Sequence, residues 1–231
     1  QKLSFVSRGE LFVSDVEGKF VQQINRGTAE RVSEVKWMAD NRTILFNQTD
    51  QGYYNWFTIR ADSQSIAKQL TRDKRNNRSV MMNKKRTRAV YLSGRDELRL
   101  LDLKTGQSSL AEKDEFWALQ SSKPSFSPNE EYILYTAKRN FEEDIFIYNI
   151  KEKKTTNLTS SGVSETAPAW SPDGKYIYFT SQRLKPSYPF GMPNAKVYRM
   201  ALDKEDEPYR ADKYNELFKE EKKDSTKKKD N

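Results

Sequence analysis

The sequence has 231 residues, 35% hydrophobic and 12% aromatic, which is enough to bury the core of one sizeable all-β domain. It contains no histidine and no cysteine, which excludes disulfides, thiolate sites, Ser-His triads and histidine-ligated metals. Its formal net charge is +8, and no apolar run is long enough to cross a membrane.

The first predicted unit is incomplete. Residues 4–24, SFVSRGELFVSDVEGKFVQQI, match only the later part of a pattern that the rest of the chain repeats. We therefore predict a partial unit over residues 1–27, and we expect the chain to be a fragment or a processed form of a longer protein.

The repeat is clearest in the second half of the chain. Residues 127–139, SPNEEYILYTAKR, recur 44 residues later, at 171–183, as SPDGKYIYFTSQR. A recurrence at a fixed period of 20 to 50 residues is typical of repeat architectures. A large residue opens each unit at the same position, and these residues are Trp37, Met82, Phe126 and Trp170. We expect the three aromatic members to be buried near inner strands.

The short apolar segments of each unit favour β-strands. They are rich in Tyr, Phe, Ile, Val and Thr, and turn residues such as Asp173 and Gly174 separate them. Several of them, including YILYT and IFIYNI, are apolar on both sides, which is typical of a sheet covered on both faces. Four short antiparallel strands about every 44 residues predict the blades of a β-propeller.

The predicted fold is thus an all-β propeller over residues 1–210, followed by a charged linker or tail over residues 211–231. Besides the partial blade at 1–27, the four recognisable four-stranded blades span residues 31–71, 76–111, 120–160 and 164–203. The last blade lacks an obvious fourth strand, because the residues after Leu202 are highly charged. Propellers have four to eight blades, so these pieces could close as a small ring or belong to a larger propeller, and we expect the larger one.

Three arginines recur at one position per unit, namely Arg95, Arg139 and Arg183. Such repetition favours pairing with a neighbouring blade over ligand binding, although both roles stay open. The carboxylates Glu142, Glu143 and Asp144 are expected in a solvated turn rather than in a general acid-base pair. No catalytic residue, metal site or cofactor site is predicted.

The final unit carries an insertion, LKPSYPFGMPNAK, between Arg183 and Val197. Tyr188 and Phe190 in this loop can contact a peptide or a neighbouring domain, and prolines on either side stiffen it. The alternative is a lid that covers the open edge of the last blade.

Positive charge is concentrated in residues 72–88, which hold eight Lys or Arg against one Asp. Such a patch can bind nucleic acid. Because no aromatic residues are interleaved for base stacking, we favour solvated loops around one strand and predict neither nucleic acid nor a membrane as a partner.

The motifs WSPDGKYIYFTSQR and IFIYNIKEKKTTNLT resemble the WD40-like blades of TolB and of prolyl-oligopeptidase-type and tricorn-type serine peptidases. The non-repeated stretches KRNFEEDIFIYN, KPSYPFG and DKYNELFKEE are more similar to bacterial tricorn-like peptidases, over roughly residues 3–221. This resemblance implies a propeller that works beside a PDZ-like domain and a serine peptidase domain, of which the peptidase domain cuts oligopeptides. It also favours a periplasmic location. None of the family's catalytic residues matches a position in this chain.

Two functions stay open. The first is a non-catalytic propeller that filters, guides or docks oligopeptides for a peptidase domain outside this chain, and the second is a stand-alone TolB-like scaffold for protein-protein interaction. The resemblance leaves open whether the protein forms oligomers.

Overall fold

The computed structural model describes residues 2–24, 29–62, 65–117, 123–139, 141–187, 191–203 and 216, and the eighteen elements within them are all β-strands. The predicted all-β class is confirmed. Within this described part of the chain, no helix is long and apolar enough to span a membrane.

The strands form five antiparallel sheets, and each strand pairs with the strands that precede and follow it in its own sheet. The first sheet contains β1 (Lys2–Ser7), β2 (Glu10–Asp15) and β3 (Val21–Gln23). The second contains β4 (Val32–Trp37), β5 (Thr43–Asp50), β6 (Tyr53–Arg60) and β7 (Lys68–Gln69). The third contains β8 (Asn77–Met82), β9 (Arg88–Ser93), β10 (Glu97–Asp102) and β11 (Ser108–Lys113). The fourth contains β12 (Ser125–Phe126), β13 (Tyr132–Arg139), β14 (Glu142–Asn149) and β15 (Lys154–Asn157), and the fifth contains β16 (Glu165–Trp170), β17 (Tyr176–Ser181) and β18 (Lys196–Ala201).

The recurring Ser-Pro motif builds the turn between the first two strands of a sheet. In the fifth sheet the Ser171 hydroxyl donates to the Asp173 carboxylate at 2.5 Å and accepts the Tyr176 N–H at 2.9 Å, while Gly174 takes a φ of +74°. In the fourth sheet Ser127 and Asn129 make the same contact at 2.6 Å. The sequence repeat is therefore a repeat of turn chemistry as well as of strands.

Four hydrophobic cores lie between the five sheets, one at each junction. In β5, Leu45 packs toward the third sheet while Ile44 and Phe46 pack toward the first. Each inner sheet is covered on both faces, because successive side chains of a strand point to opposite sides. This explains why the strands are apolar on both sides, and it is the arrangement of propeller blades.

The first strands of neighbouring sheets contact one another, β4 with β8 and β8 with β12, so they lie at the centre of the arrangement. Among the described residues, no strand pairing and no core cluster joins the first sheet to the fifth, so the five sheets form an open series. The described part of the fifth sheet has three strands.

The aromatic residues on the inner strands are less buried than we expected. Trp37, Phe126 and Trp170 do lie on inner strands and pack against the cores, but each is only half-buried. Each ring lies at the end of its strand, and cations lie over two of them: the Lys2 ammonium is 5.0 Å from the Trp37 ring centroid and the Arg88 guanidinium carbon is 5.6 Å from that of Phe126.

Candidate functional site

One rim of the five sheets carries the recurring arginines. It is formed by the turns between the second and third strands of the second to fifth sheets and by the turn between the first two strands of the first sheet, together with the segments that lead into the next sheet. We call it the arginine rim, after Arg95, Arg139 and Arg183. The structure places these three residues at equivalent positions but in different surroundings.

Arg139 joins two sheets. Its guanidinium donates to both carboxylate oxygens of Asp114, at 3.1 and 2.7 Å, and Asp114 lies in the segment between β11 and β12. The ring of Phe146 lies beneath the guanidinium, 4.5 Å from its carbon. The hydrogen bonds from Arg139 and the charge of Asp114 raise the pKa of Arg139 further above its ordinary value. Arg139 is thus held in a bidentate ion pair between neighbouring sheets.

Arg183 is held within the fifth sheet. Its guanidinium donates to the carboxylate of Glu165, which is fully buried, and it lies 5.3 and 5.1 Å from the rings of Phe179 and Tyr198. Removal of this arginine would leave a buried carboxylate without its counter-ion.

Arg95 has an exposed side chain, and among the described residues its contact at this turn is made by the backbone, because its carbonyl accepts the Phe116 N–H at 2.7 Å. The carboxylates beside it, Asp96 and Glu97, pair instead with Arg75. All three recurring arginines are exposed, and Arg95 is the one for which the described residues show no ion pair.

The insertion after Arg183 is described only at its two ends, because Tyr188 and Phe190 lie outside the described residues. The Gln182 side-chain amide donates to the carbonyls of Ser187 and Gly191, at 3.0 and 3.5 Å. One buried side chain thus ties both ends of the loop to the last strand before it.

The carboxylates Glu142, Glu143 and Asp144 are not in a solvated turn, so that expectation is wrong. The hairpin pairs Arg139 with Glu142, which places all three carboxylates inside β14. Glu143 is only 5% exposed, and burial raises its pKa against the opposing effects of a Thr136 hydrogen bond and the charge of Lys138.

Polar contacts made by Glu34 connect neighbouring sheets at their innermost strands. The Glu34 carboxylate accepts the backbone N–H groups of Ser79 and Val80, at 2.5 and 3.0 Å, and lies 3.7 Å from the Lys123 ammonium. These residues belong to three successive sheets or to the segments that enter them. These contacts tie the sheets together where only short strands meet.

The cations of residues 72–88 do not form one continuous patch. Arg75 pairs with Asp96 on the arginine rim, whereas Arg88 lies 3.5 Å from Glu130 on the opposite rim. The strand β8 separates the two groups, so the charge is divided between the two ends of a blade.

Two aromatic residues on the arginine rim were not predicted as site residues from the sequence. Trp117 and Phe141 meet edge to face, with ring centroids 6.5 Å apart, and the Lys138 ammonium lies 4.2 Å from the Trp117 ring centroid. The sequence of the hairpin turn could have indicated this site, because Phe141 occupies the turn position that glycine, Gly52, takes in the second sheet.

The described residues contain no cluster of three or more side chains suited to a metal ion. The contacts described at the rim are hydrogen bonds, ion pairs and aromatic contacts.

Comparisons with known proteins agree with this architecture. A family model described as the TolB β-propeller domain, PD40, matches residues 83–213, more than half of the chain. Among curated proteins, the chain is 25% identical over 193 residues to the tricorn protease of Thermoplasma acidophilum, covering 80% of this chain and 18% of that protein. It is also 25% identical over 213 residues to a putative tricorn-like protease C-terminal subunit of Sulfurisphaera tokodaii, covering 90% of this chain and 23% of that protein. The chain thus spans about a fifth of the length of these relatives.

Solved structures show the same fold. A crystal structure of the tricorn protease superposes with a TM-score of 0.68 at 20% identity, over 86% of this chain and 20% of that chain. TolB from Acinetobacter baumannii gives a TM-score of 0.59 at 16% identity, over 87% of this chain and 50% of that chain.

Proposed function

The chain belongs to the TolB β-propeller domain family, and from this premise we propose that it is the non-catalytic propeller of a tricorn-like serine peptidase. Its role is to filter, guide or dock oligopeptides for a peptidase domain that lies outside this chain. The observation that carries the proposal is the similarity to two tricorn-type proteins over 80% and 90% of the chain.

The chemistry of the chain supports a binding role. Without histidine or cysteine, the chain offers no usual base for a serine nucleophile and no thiolate. The rim is instead held by ion pairs such as Arg139 with Asp114, which keep the connecting turns in place. A rigid rim suits a surface that positions a peptide, because little conformational entropy is lost on binding.

The proposed partners follow from the same premise. They are oligopeptides and the peptidase and PDZ-like domains of a parent protein, in a periplasmic location. Fractionation of cells that express the parent protein tests the location.

The contact residues proposed for this function are Tyr188 and Phe190 in the insertion, together with Arg95, Arg139 and Arg183. The test replaces Tyr188 and Phe190 with Ser in the parent protein and measures turnover of a fluorogenic oligopeptide and the thermal midpoint. We expect lower turnover at an unchanged midpoint. Phe20→Ser is the matched control, because Phe20 is an aromatic residue that is 77% exposed on the opposite rim.

Two results would contradict the proposal. One is a parent protein without peptidase activity, and the other is peptide cleavage by the purified 231-residue chain alone. A drop in stability without loss of turnover would leave the insertion with the role of a lid.

A stand-alone scaffold is the second candidate, supported by the similarity in fold to a putative TolB from Agrobacterium tumefaciens, with a TM-score of 0.58 at 14% identity over 87% of this chain and 73% of that chain. It predicts a reading frame with no peptidase region and a protein partner that the chain captures by itself.

A further inference from the structure

We propose that Phe141 and Trp117 form a binding site for an apolar side chain of an extended peptide whose neighbouring residues are acidic. This inference rests on the proposed peptide-binding role and deepens it by naming the site and the kind of peptide. It uses residues outside the insertion and apart from the three recurring arginines.

The first argument is backbone strain at an exposed aromatic residue. Phe141 has a φ of +68°, in the left-handed region that bulky residues rarely adopt. The two-residue hairpins of the first and second sheets place Gly9 and Gly52 at this position, each with a φ of +85°. Such turns favour glycine strongly. The fourth sheet therefore keeps a phenylalanine where the fold prefers glycine.

The strain is not offset by burial, because the Phe141 side chain is 88% exposed. Its ring contact is the edge-to-face pair with Trp117, with an interplanar angle of 88°. Strained residues that persist without a packing role are concentrated at binding and active sites. The arrangement points to a ligand that covers both rings.

The second argument is that Trp117 is held in place before any ligand arrives. Its indole Nε1 donates to Glu115 at 2.6 Å, and its carbonyl accepts a hydrogen bond from Arg78 at 3.2 Å. The Lys138 backbone N–H donates to the Glu115 carbonyl at 2.9 Å, which joins this segment to β13. A preorganised aromatic surface loses little entropy when a ligand binds.

The third argument is charge. Lys138 and Arg78 lie beside Trp117, and among the described residues neither of them forms an ion pair within 4.0 Å. Glu115 already accepts the Trp117 indole, and Glu142 is the carboxylate beside Phe141. Unpaired cations around an apolar contact favour a ligand with carboxylates on either side of an apolar side chain.

The test measures binding of a fluorescein-labelled acetyl-Glu-Leu-Phe-Glu-amide to the 231-residue chain by anisotropy. The amide removes the terminal carboxylate, so that only side-chain carboxylates can contribute. We expect Phe141→Gly to weaken binding about tenfold, as for the loss of an aromatic anchor. The same variant should raise the thermal midpoint by about 2 °C, because relief of the left-handed strain exceeds the entropic cost of glycine.

Gly52→Phe is the matched control. A Cβ added at Gly52 meets nothing within 4 Å, so this variant adds left-handed strain and a ring without a neighbouring Trp117. We expect a lower thermal midpoint and unchanged binding of the peptide. The two variants together separate an aromatic site from a general effect of an exposed ring.

Two further measurements test the charge. Acetyl-Lys-Leu-Phe-Lys-amide should bind at least about tenfold more weakly than the acidic peptide, and Glu142→Gln should strengthen binding of the acidic peptide. Equal binding of both peptides would overturn the acidic preference.

The site itself is overturned if Phe141→Gly leaves binding unchanged, or if it lowers the thermal midpoint, because the ring would then serve the fold. Tighter binding of a single-stranded oligonucleotide than of the acidic peptide would overturn it as well. These outcomes can be distinguished from failure of the proposed function, which fails when the parent protein lacks peptidase activity even if this chain binds the peptide.

Discussion

The faces between the sheets and the faces at the two ends of the series carry equivalent residues in different surroundings. Leu45, Val90 and Leu134 occupy one position on the second strand of successive sheets, and each is at most 1% exposed. Tyr178 takes this position in the fifth sheet and is 39% exposed. The repeat specifies a side chain that suits burial, but this side chain is buried only where a neighbouring sheet covers it.

The opposite face gives the same contrast. A cross-strand aromatic pair faces the preceding sheet, and Tyr135 with Phe146 stack at 5.4 Å, with Tyr135 only 1% exposed. In the first sheet Phe5 and Phe12 stack at 5.5 Å, but Phe5 is 38% exposed. Pairing within a sheet is therefore local, whereas burial is a property of two sheets.

The largest expected effect concerns the buried position. Leu134→Ala should lower the free energy of unfolding by about 3 kcal/mol, because it leaves a cavity between the fourth and fifth sheets. Tyr178→Ala, at the equivalent position, should cost less than about 1 kcal/mol in the 231-residue chain. Urea unfolding of both variants checks the difference, and equal losses would break the comparison. A Tyr178→Ala loss that grows in the parent protein would show that another layer covers this face there.

An intermediate effect concerns the arginine rim. Arg183→Ala should cost about 2 kcal/mol, since it leaves the buried Glu165 carboxylate without its guanidinium partner. Arg95→Ala should change stability by less than about 0.5 kcal/mol, because its side chain is exposed and forms no ion pair with the described residues. Thermal unfolding at matched ionic strength measures both variants. Similar losses would mean that the recurring arginine acts through its position in the repeat rather than through its partner.

The smallest expected effect concerns Asp40, which lies in the second sheet at the turn position that Asp173 occupies in the fifth. Burial tends to raise the pKa of Asp40, but hydrogen bonds from the Thr43 hydroxyl and from the Arg42 and Thr43 N–H groups outweigh it and lower the pKa to about 2. A lowered carboxyl pKa stabilises the fold above the unfolded value of 3.8, and the contribution is lost as pH falls toward 2.

Asp40→Asn should therefore cost about 1 kcal/mol at pH 7, a value discounted for solvent screening at an exposed turn, and almost nothing at pH 2. Denaturant unfolding at the two pH values is the measurement. A cost that does not depend on pH would assign the effect to turn geometry, as in the fourth sheet, where Asn129 holds this place.

Local chemistry explains most of what could be predicted. The Ser-Pro-Asp-Gly turn, the strands that are apolar on both faces and the recurrence of Tyr135 and Phe179 define the blades, because turn geometry and side-chain alternation depend on neighbours in the chain. The recurring arginines were found for the same reason. The Phe141 site was missed because its partner Trp117 belongs to the segment that joins two sheets, and no local pattern connects them.

The sequence by itself determined the fold class, the period and the residues that suit burial, since each of these depends on contacts within one hairpin or one sheet. The tertiary structure decided which of the equivalent residues are used. It gave Arg139 and Arg183 carboxylate partners but, among the described residues, gave Arg95 none. It also buried Glu143 inside a strand and brought Lys138 over Trp117. These outcomes depend on how neighbouring sheets pack face to face, and a repeat that reads almost the same in every sheet carries little information about that packing.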